Sequence, residues 1–413
     1  MNEMSSARFN RDPLDPAGLA DLPAFYKELR DHHPVYYYAD YDTFFISRFA
    51  DVWGVLRVGE NSFVASETNL PTRDYLRSHR NTGNPPPMAS TNPLGPLAAL
   101  PSPWYEEMRN AHIAPLKPKA VQKLADFIRE VTRERLDALL KTGRFDMVMD
   151  FGGFVVANSI CRLFGLPPER AQSLFEDVNA ATRPDENSTV DFAKFFAQVR
   201  GYIVPCIQAR REAQADGENR LIDGLVNYRM PDGRALGDGE IADQLVCIMV
   251  GGLESASKVS ATGIMELWRN PDQLAAVREN LAVNVPIAVD EMVRHGAPAQ
   301  YTFRTAYRDV NVAGTLVRPG QRICAMIWSA AHDEREFDQP ERFIWNRRPL
   351  RTISFGVGQH HCIGKHLALL EVRIIVEEFL KRVESFSFDM ANARRNPSYF
   401  QHGWIRLPVV IGS

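Results

Sequence analysis

The chain has 413 residues, a formal charge of −3, 45% hydrophobic and 24% charged residues. This composition excludes a chain disordered throughout, and the lack of a basic excess disfavours a protein that coats nucleic acid. The length suits two or three domains of about 150 residues, or one large single-core enzyme.

The N-terminal run MNEMSSARFNRDPLDP has no apolar core of the kind a secretory signal needs. No stretch is read as the ~18 unbroken apolar residues of a membrane span. The longest candidate, Leu245–Leu253, reads as a buried helix segment. The five cysteines, Cys161, Cys206, Cys247, Cys324 and Cys362, are odd in number and widely scattered. That pattern points to a reducing cytoplasm and away from a disulfide framework.

In chain order, the pattern predicts a helix over Pro23–His33, then strands at Val35–Tyr38 and Thr43–Ser47, where aromatic and β-branched residues cluster between polar breaks. The proline-rich segment Asn81–Pro103 reads as a long loop of the kind that lids a pocket. Spacings of three and four predict helices over Lys119–Lys141, Phe151–Phe164, Pro168–Ala181 and Val190–Ala213. The stretch Asp238–Asn270 reads as one helix about 50 Å long at 1.5 Å per residue, with Asp238 as its cap and Asn270-Pro271 as its end. Short strands follow at Asp309–Ala313, Leu316–Val317 and Ile323–Ile327, then a helix over Gly364–Val383 and a β-like tail, Trp404–Ile411. The result is a mainly α chain with small sheets near both ends. No boundary has linker composition, so residues 1–413 are read as one domain.

The strongest chemical signal is Phe355-Gly356-Val357-Gly358-Gln359-His360-His361-Cys362-Ile363-Gly364, followed by Leu367-Ala368 and Glu371. It is a glycine-rich turn, one cysteine, then an amphipathic helix. A thiol just before a helix meets unpaired N–H groups and the positive end of the dipole, which lower its pKa. Glycines on either side let the backbone approach a large flat group. A zinc site of His360, His361, Cys362 and His366 is a competing reading. Adjacent residues converge poorly on a tetrahedral ion, and there is no CxxC partner. A buried structural cysteine is another.

The segment resembles the haem-binding signature of the cytochrome P-450 family, F-G-x-G-x-H-x-C-x-G, at every specified position. Other family landmarks occur in the same order. Glu291-Met292-Val293-Arg294 resembles the E-x-x-R helix, and Gln339-Pro340-Glu341-Arg342-Phe343 the segment that supplies a second arginine. Val250-Gly251-Gly252-Leu253-Glu254-Ser255 resembles the oxygen-groove motif. The resemblance runs from about residue 20 to the C-terminus. It implies the P-450 fold, a triangular helix-rich body with a long helix over the haem, and haem b (iron protoporphyrin IX) as cofactor.

By this resemblance Cys362 is the thiolate ligand of the haem iron, flanked by Phe355 and Gly364. Glu291 and Arg294 form a buried ion network with Arg342. His360, Arg304 and Arg109 bind the haem propionates. Tyr105 stands where the family has Trp or His, and Thr352 where many members have His.

Two adjacent glycines, Gly251 and Gly252, cost about 1 kcal/mol each inside a helix. Close helix packing explains them, and so does a ligand pressing on a widened turn. Glu254 and Ser255 then form the acid–alcohol pair that delivers protons as dioxygen is reduced. Most members have threonine at the Ser255 position, so the resemblance implies activity with some reducing equivalents lost to peroxide.

The substrate cavity is expected within Pro87–Leu100, Val246–Val250, Pro298–Thr302 and Ser398–Gln401, including Met88, Leu94, Leu97, Met249, Val250, Ala299, Tyr301 and Phe400. It suits a small hydrophobic substrate, aromatic or terpenoid. Arg73, Arg77 and Arg80 read either as a carboxylate site at the entrance or as a solvated basic loop. The expected activity is a monooxygenase using O2 and electrons from a ferredoxin with its NAD(P)H-dependent reductase. Lys117, Lys119, Lys365 and Arg373 are the candidate docking face. A peroxide-dependent peroxygenase and a non-enzymatic haem sensor are the alternatives.

Overall fold

The computed structural model describes residues 9–15, 21–59, 62–65, 71–81, 96–181, 192–213, 220–396 and 401–412. Most of the expected loop 81–103, with Met88 and Leu94, and also Phe400, lies outside the described residues.

A five-stranded sheet joins both halves of the chain. Its order is Val35–Tyr38, Thr43–Ile46, Arg322–Ala325, Thr302–Ala306, Phe63–Val64. Thr43–Ile46 runs parallel to Arg322–Ala325, with Phe45 beside Cys324, and the other pairs are antiparallel. The strands bury aromatic and aliphatic side chains, among them Phe45, Ile46, Phe303 and Ile323, in a core of their own. The expected strand Ile323–Ile327 stops at Ala325 because Ile327 already opens a short helix, Ile327–Ala331. The C-terminal strand Pro408–Ile411 is the middle of a second sheet, between Arg144–Asp146 and Phe386–Phe388.

The other core is built around the long helix Asp238–Arg269, which packs against helices Gly153–Phe164, Phe192–Glu212, Leu281–Gly296 and Lys365–Arg382. Its N-cap is Gly237, not Asp238. Glu240 Oε2 accepts the Gly237 N–H at 2.7 Å, while Asp238 pairs with Arg211 at 2.9 Å. Asn270 ends the helix as expected, and Pro271 starts the next one. The expected helix Lys119–Lys141 is two, Pro118–Gln122 and Ala125–Leu140, because the chain tightens to an i→i−3 bond at Leu124. A π-helical turn, Met147–Gly152, precedes Gly153–Phe164. Together Met147–Phe164 form one 18-residue stretch that has the length and apolar composition of a membrane span, which the sequence reading passed over. It is 78% buried inside the protein, the state of a core helix.

The ion network beneath the site departs from expectation in one member. Arg294 binds Glu291 through two bonds, Nε to Oε2 at 2.7 Å and Nη2 to Oε1 at 2.8 Å. The second arginine is Arg347, whose Nε lies 3.1 Å from both Glu291 oxygens. Arg342 contributes its backbone carbonyl, while its side chain turns out to Gln339 at 2.6 Å. Arg342 is exposed, so the buried carboxylate takes the arginine five positions further on.

Candidate active site

One cavity of about 370 Å³ lies where the two cores meet. Its first wall is the cysteine loop. The Cys362 N–H donates to Phe355 O at 2.8 Å, Gly356 N–H to Ile353 O at 2.7 Å, and His361 N–H to Gly358 O at 3.2 Å. Gly358 holds φ +74°, and a Cβ there would sit 2.5 Å from the Leu56 carbonyl oxygen, so only glycine closes the turn against the helix Phe49–Val58. Gly364 then leads into the helix Lys365–Arg382, whose first N–H groups face the thiol.

The expected low thiol pKa is not the net result. Burial pushes the Cys362 thiol up, and the N–H groups of Gly364 and Lys365 and the charges of Arg109 and Lys365 only partly offset it. Cys362 nonetheless opens into the cavity together with Phe355, His360, His361 and Gly364.

Cations gather on the same cavity. Arg109 is buried, donates to Tyr105 Oη at 2.6 Å and to the His361 carbonyl at 3.0 Å, and lies 3.1 Å from His361 Nε2. The His360 ring lies 4.0 Å from the Tyr105 ring, centroid to centroid. Arg304, on the strand Thr302–Ala306, donates to Thr302 Oγ1 at 3.0 Å and acts electrostatically on Tyr105 with Arg109. Burial is the larger influence on Tyr105 and raises its phenol pKa. Arg109, Arg304, His360, His361 and Tyr105 therefore border an otherwise largely apolar space. Thr352 and Arg351 are not part of it. Arg351 pairs with Glu336 and stacks over Phe49 and Trp53.

The second wall is one stripe of the long helix: Cys247, Ile248, Gly251, Gly252, Ser255, Ala256 and Val259. The spacing of three and four corrects the expected pocket residues. Val246, Met249 and Val250 are off this stripe and pack into the helical core. Cys247, inside the expected stretch Val246–Val250 but not singled out there, falls on the stripe. Burial pushes its thiol up to about 11, so it stays a neutral thiol.

The helix is unbroken at Gly251-Gly252, with no widened turn. The Ser255 hydroxyl donates to Gly251 O at 2.9 Å. A Cβ at Gly252 would meet Ile160 Cδ1 at 2.7 Å, while one at Gly251 meets nothing within 4 Å. Both explanations thus have a residue each: packing at Gly252, open cavity at Gly251.

Of the expected acid–alcohol pair, only Ser255 opens into the cavity. Neighbouring helix residues point about 100° apart, and Glu254 is turned inward, 3.3 Å from Lys258 Nζ. Pro298, Ala299, Tyr301, Thr302 and Gln401 complete the cavity with Leu97 and Ala98. The entrance arginines do not. Arg73 pairs with Asp12 at 2.7 Å, Arg77 lies near Asp12 and Asp74, and Arg80 donates to the Ala39 carbonyl. They fasten the N-terminal segment.

The family model described as Cytochrome P450 matches residues 185–408, more than half of the chain. The chain belongs to the cytochrome P450 family. Cytochrome P450-terp of a Pseudomonas species is 29% identical over 403 residues, covering 91% of each chain. The steroid C26-monooxygenase of Mycolicibacterium smegmatis is 30% identical, covering 71% of this chain and 73% of that one. The crystal structure of CalO2 superimposes with a TM-score of 0.82 at 23% identity, covering 98% of this chain and 99% of that one.

The chain is a haem-thiolate monooxygenase, and its cofactor is haem b held through a cysteine thiolate. The cavity fits that group. It is largely apolar where glycines meet the helix stripe, the loop wall presents the Cys362 thiol, and its cations suit two carboxylates.

Proposed function

We propose that this enzyme inserts one oxygen atom of O2 into a small hydrophobic substrate, aromatic or terpenoid, by hydroxylation or O-demethylation. The balance is RH + O2 + two electrons + two protons to ROH + water. A separate ferredoxin, reduced by an NAD(P)H-dependent reductase, supplies the electrons. The observation that carries this reading is one apolar cavity into which both the Cys362 thiol and the Ser255 hydroxyl open.

Cys362 holds the iron of the haem, which supplies the oxygen-activating chemistry when bound. Arg109, Arg304 and His360 hold the propionates, with Tyr105 orienting Arg109 through its hydroxyl. Phe355 and Gly364 shape the loop around the thiol. Ser255 holds a proton and a water at the cavity wall, and Glu254 supplies protons from behind it. Leu97, Ile248, Ala299 and Tyr301 exclude bulk water and set the apolar shape of the substrate space.

Lys117 and Lys119 are exposed, Lys365 lies over Phe355, and Arg373 sits near Glu377. They form a basic face beside the cysteine loop for an acidic ferredoxin. All five cysteines are free.

The test is an optical titration of the ferric protein with small aromatics, terpenes, fatty acids and steroids. Steroids belong in the panel because the relative from Mycolicibacterium smegmatis bears a steroid oxidation in its name. A low-to-high-spin shift with aromatics or terpenes supports the proposal. A shift confined to fatty acids or steroids overturns the substrate class and leaves the reaction class standing.

A further inference from the structure

The C-terminal turn puts one polar side chain into the wall of the substrate space. Gln401 is 6% exposed and lines the cavity with Pro298, Ala299 and Tyr301. Its backbone is pinned from two sides: Gln401 forms an antiparallel bridge with Ala299, and the His402 N–H donates to Pro298 O at 2.7 Å. Its side chain is pinned as well. Lys258, buried on the long helix, donates from Nζ to Gln401 Oε1 at 2.5 Å. Gly403 makes room for that lysine. There φ is +123°, and a Cβ would meet Lys258 Cβ at 3.2 Å.

A carboxamide has an accepting end and a donating end, and its neighbours choose which one it shows. Lys258 takes the carbonyl oxygen from the side of the long helix. Among the described residues this is the only side-chain hydrogen bond of Gln401, so the Nε2 donor is what the side chain has left to offer the cavity. A donor on the carbonyl oxygen also polarises the amide and strengthens its N–H. Neighbouring hydroxyls are already engaged: Ser255 donates to Gly251 O, and Thr302 Oγ1 accepts from Arg304. Leu97, Ile248 and Ala299 add only apolar surface. A donor in such a wall loses its water when a ligand enters and is costly to leave without an acceptor. A site of this kind penalises a ligand that lacks the matching group. A carboxylate is poorly served, because one neutral donor does not replace the water that a charge gives up.

We propose that Gln401 determines substrate specificity through its Nε2 donor: the substrate is an apolar molecule with one neutral acceptor oxygen, that of a ketone, ester or ether, and Gln401 binds that oxygen and so fixes how the molecule lies in the cavity. This rests on the reading of a small hydrophobic substrate and narrows it.

The experiment uses the haem-loaded protein and matched probes that differ by one oxygen function: acetophenone against ethylbenzene, and menthone against p-menthane. Optical titration of the high-spin shift gives dissociation constants, and the ratio of hydrocarbon to ketone is the preference. Isotope-edited infrared difference spectra read the carbonyl band of bound acetophenone. Gln401→Leu lowers the preference about threefold to tenfold, the worth of one hydrogen bond, chiefly by weakening the ketone. The carbonyl band then moves to higher frequency, as it does when a donor is removed. Gln401→Glu keeps an oxygen for Lys258 and removes the N–H donor. It lowers the preference at least as far, and it carries the test alone if Gln401→Leu does not fold. If Gln401 only tied the turn to the long helix, Gln401→Glu would keep the preference and Gln401→Leu would weaken ketone and hydrocarbon alike. Either result, or a carbonyl band that is the same in wild type and variants, overturns the proposal and leaves the small hydrophobic substrate standing. Failure of that underlying reading looks different: no aromatic or terpenoid probe, with or without oxygen, shifts the wild-type spectrum, and the proposal falls with it.

Discussion

The cysteine loop and the long helix wall the same cavity by different means. The loop is fixed by its own backbone: within ten residues Cys362, His361 and Gly356 donate to carbonyls of the same segment, and Gly358 presses on Leu56. The helix wall is fixed by side chains that reach elsewhere, Gly252 against Ile160 and Glu254 through Lys258 to Gln401. A wall made of local backbone bonds leaves a contiguous signature. A wall made of distant side-chain contacts leaves a spacing and little else.

The largest effect expected is on the loop. Cys362→Ala removes the only thiol of that wall and abolishes the thiolate-type absorption spectrum; retention of the spectrum would reassign the ligand. Next comes the network that supports the loop side. Arg347→Leu takes one of two arginines from the fully buried Glu291 and costs about 3 kcal/mol in urea unfolding. Arg342→Leu, at an exposed side chain, stays within about 0.5 kcal/mol. Equal costs would return the second arginine to position 342.

A pH profile separates the walls further. Glu371, on the helix that follows Cys362, is buried beside the cavity, and desolvation pushes its carboxyl from 4.5 to about 8, with a Ser159 hydrogen bond opposing. The folded chain thus holds a proton that the unfolded chain releases. The stability this confers is complete below about pH 4.5 and is lost as pH climbs through about 8. Glu371→Gln should flatten that decline in thermal melts, and a parallel decline in wild type and variant would assign it to other groups. The smallest effect is at Ser255→Thr. The added methyl restricts the hydroxyl that now donates to Gly251 O, so the peroxide share of consumed electrons falls modestly. An unchanged share makes the methyl irrelevant.

The same contrast explains what the sequence disclosed. Strands 35–38 and 43–46, the helix from 238 and the helix after Cys362 follow local periodicity, and they stand within a residue or two of expectation. The sheet that joins residues 43–46 to 322–325 does not, since nothing local states which strand a strand will find. Arg109, Arg304, Phe355, His360, Cys362, Gly364 and Ser255 all reach the cavity. Glu254 does not, because its neighbour Ser255 takes the cavity-facing position on the helix. Lys258 was legible only as a cation four residues beyond an acid, an arrangement common on solvated helices. Its burial and its bond to Gln401, far along the chain, decide its character. Arg347 replaced Arg342 because the turn after Phe343, not the motif, directs a guanidinium inward.

The parallel pairing of Thr43–Ile46 with Arg322–Ala325 also sets an order of events during synthesis. Ribosomes add about 5–20 residues per second. The first hairpin therefore spends tens of seconds without its central neighbour, and a lone hairpin is marginal in water. Cys362 emerges later still. The pocket cannot close on a prosthetic group until almost the whole polypeptide has left the ribosome, so a stalled or truncated product is left with an exposed sheet edge and no means of retaining the cofactor.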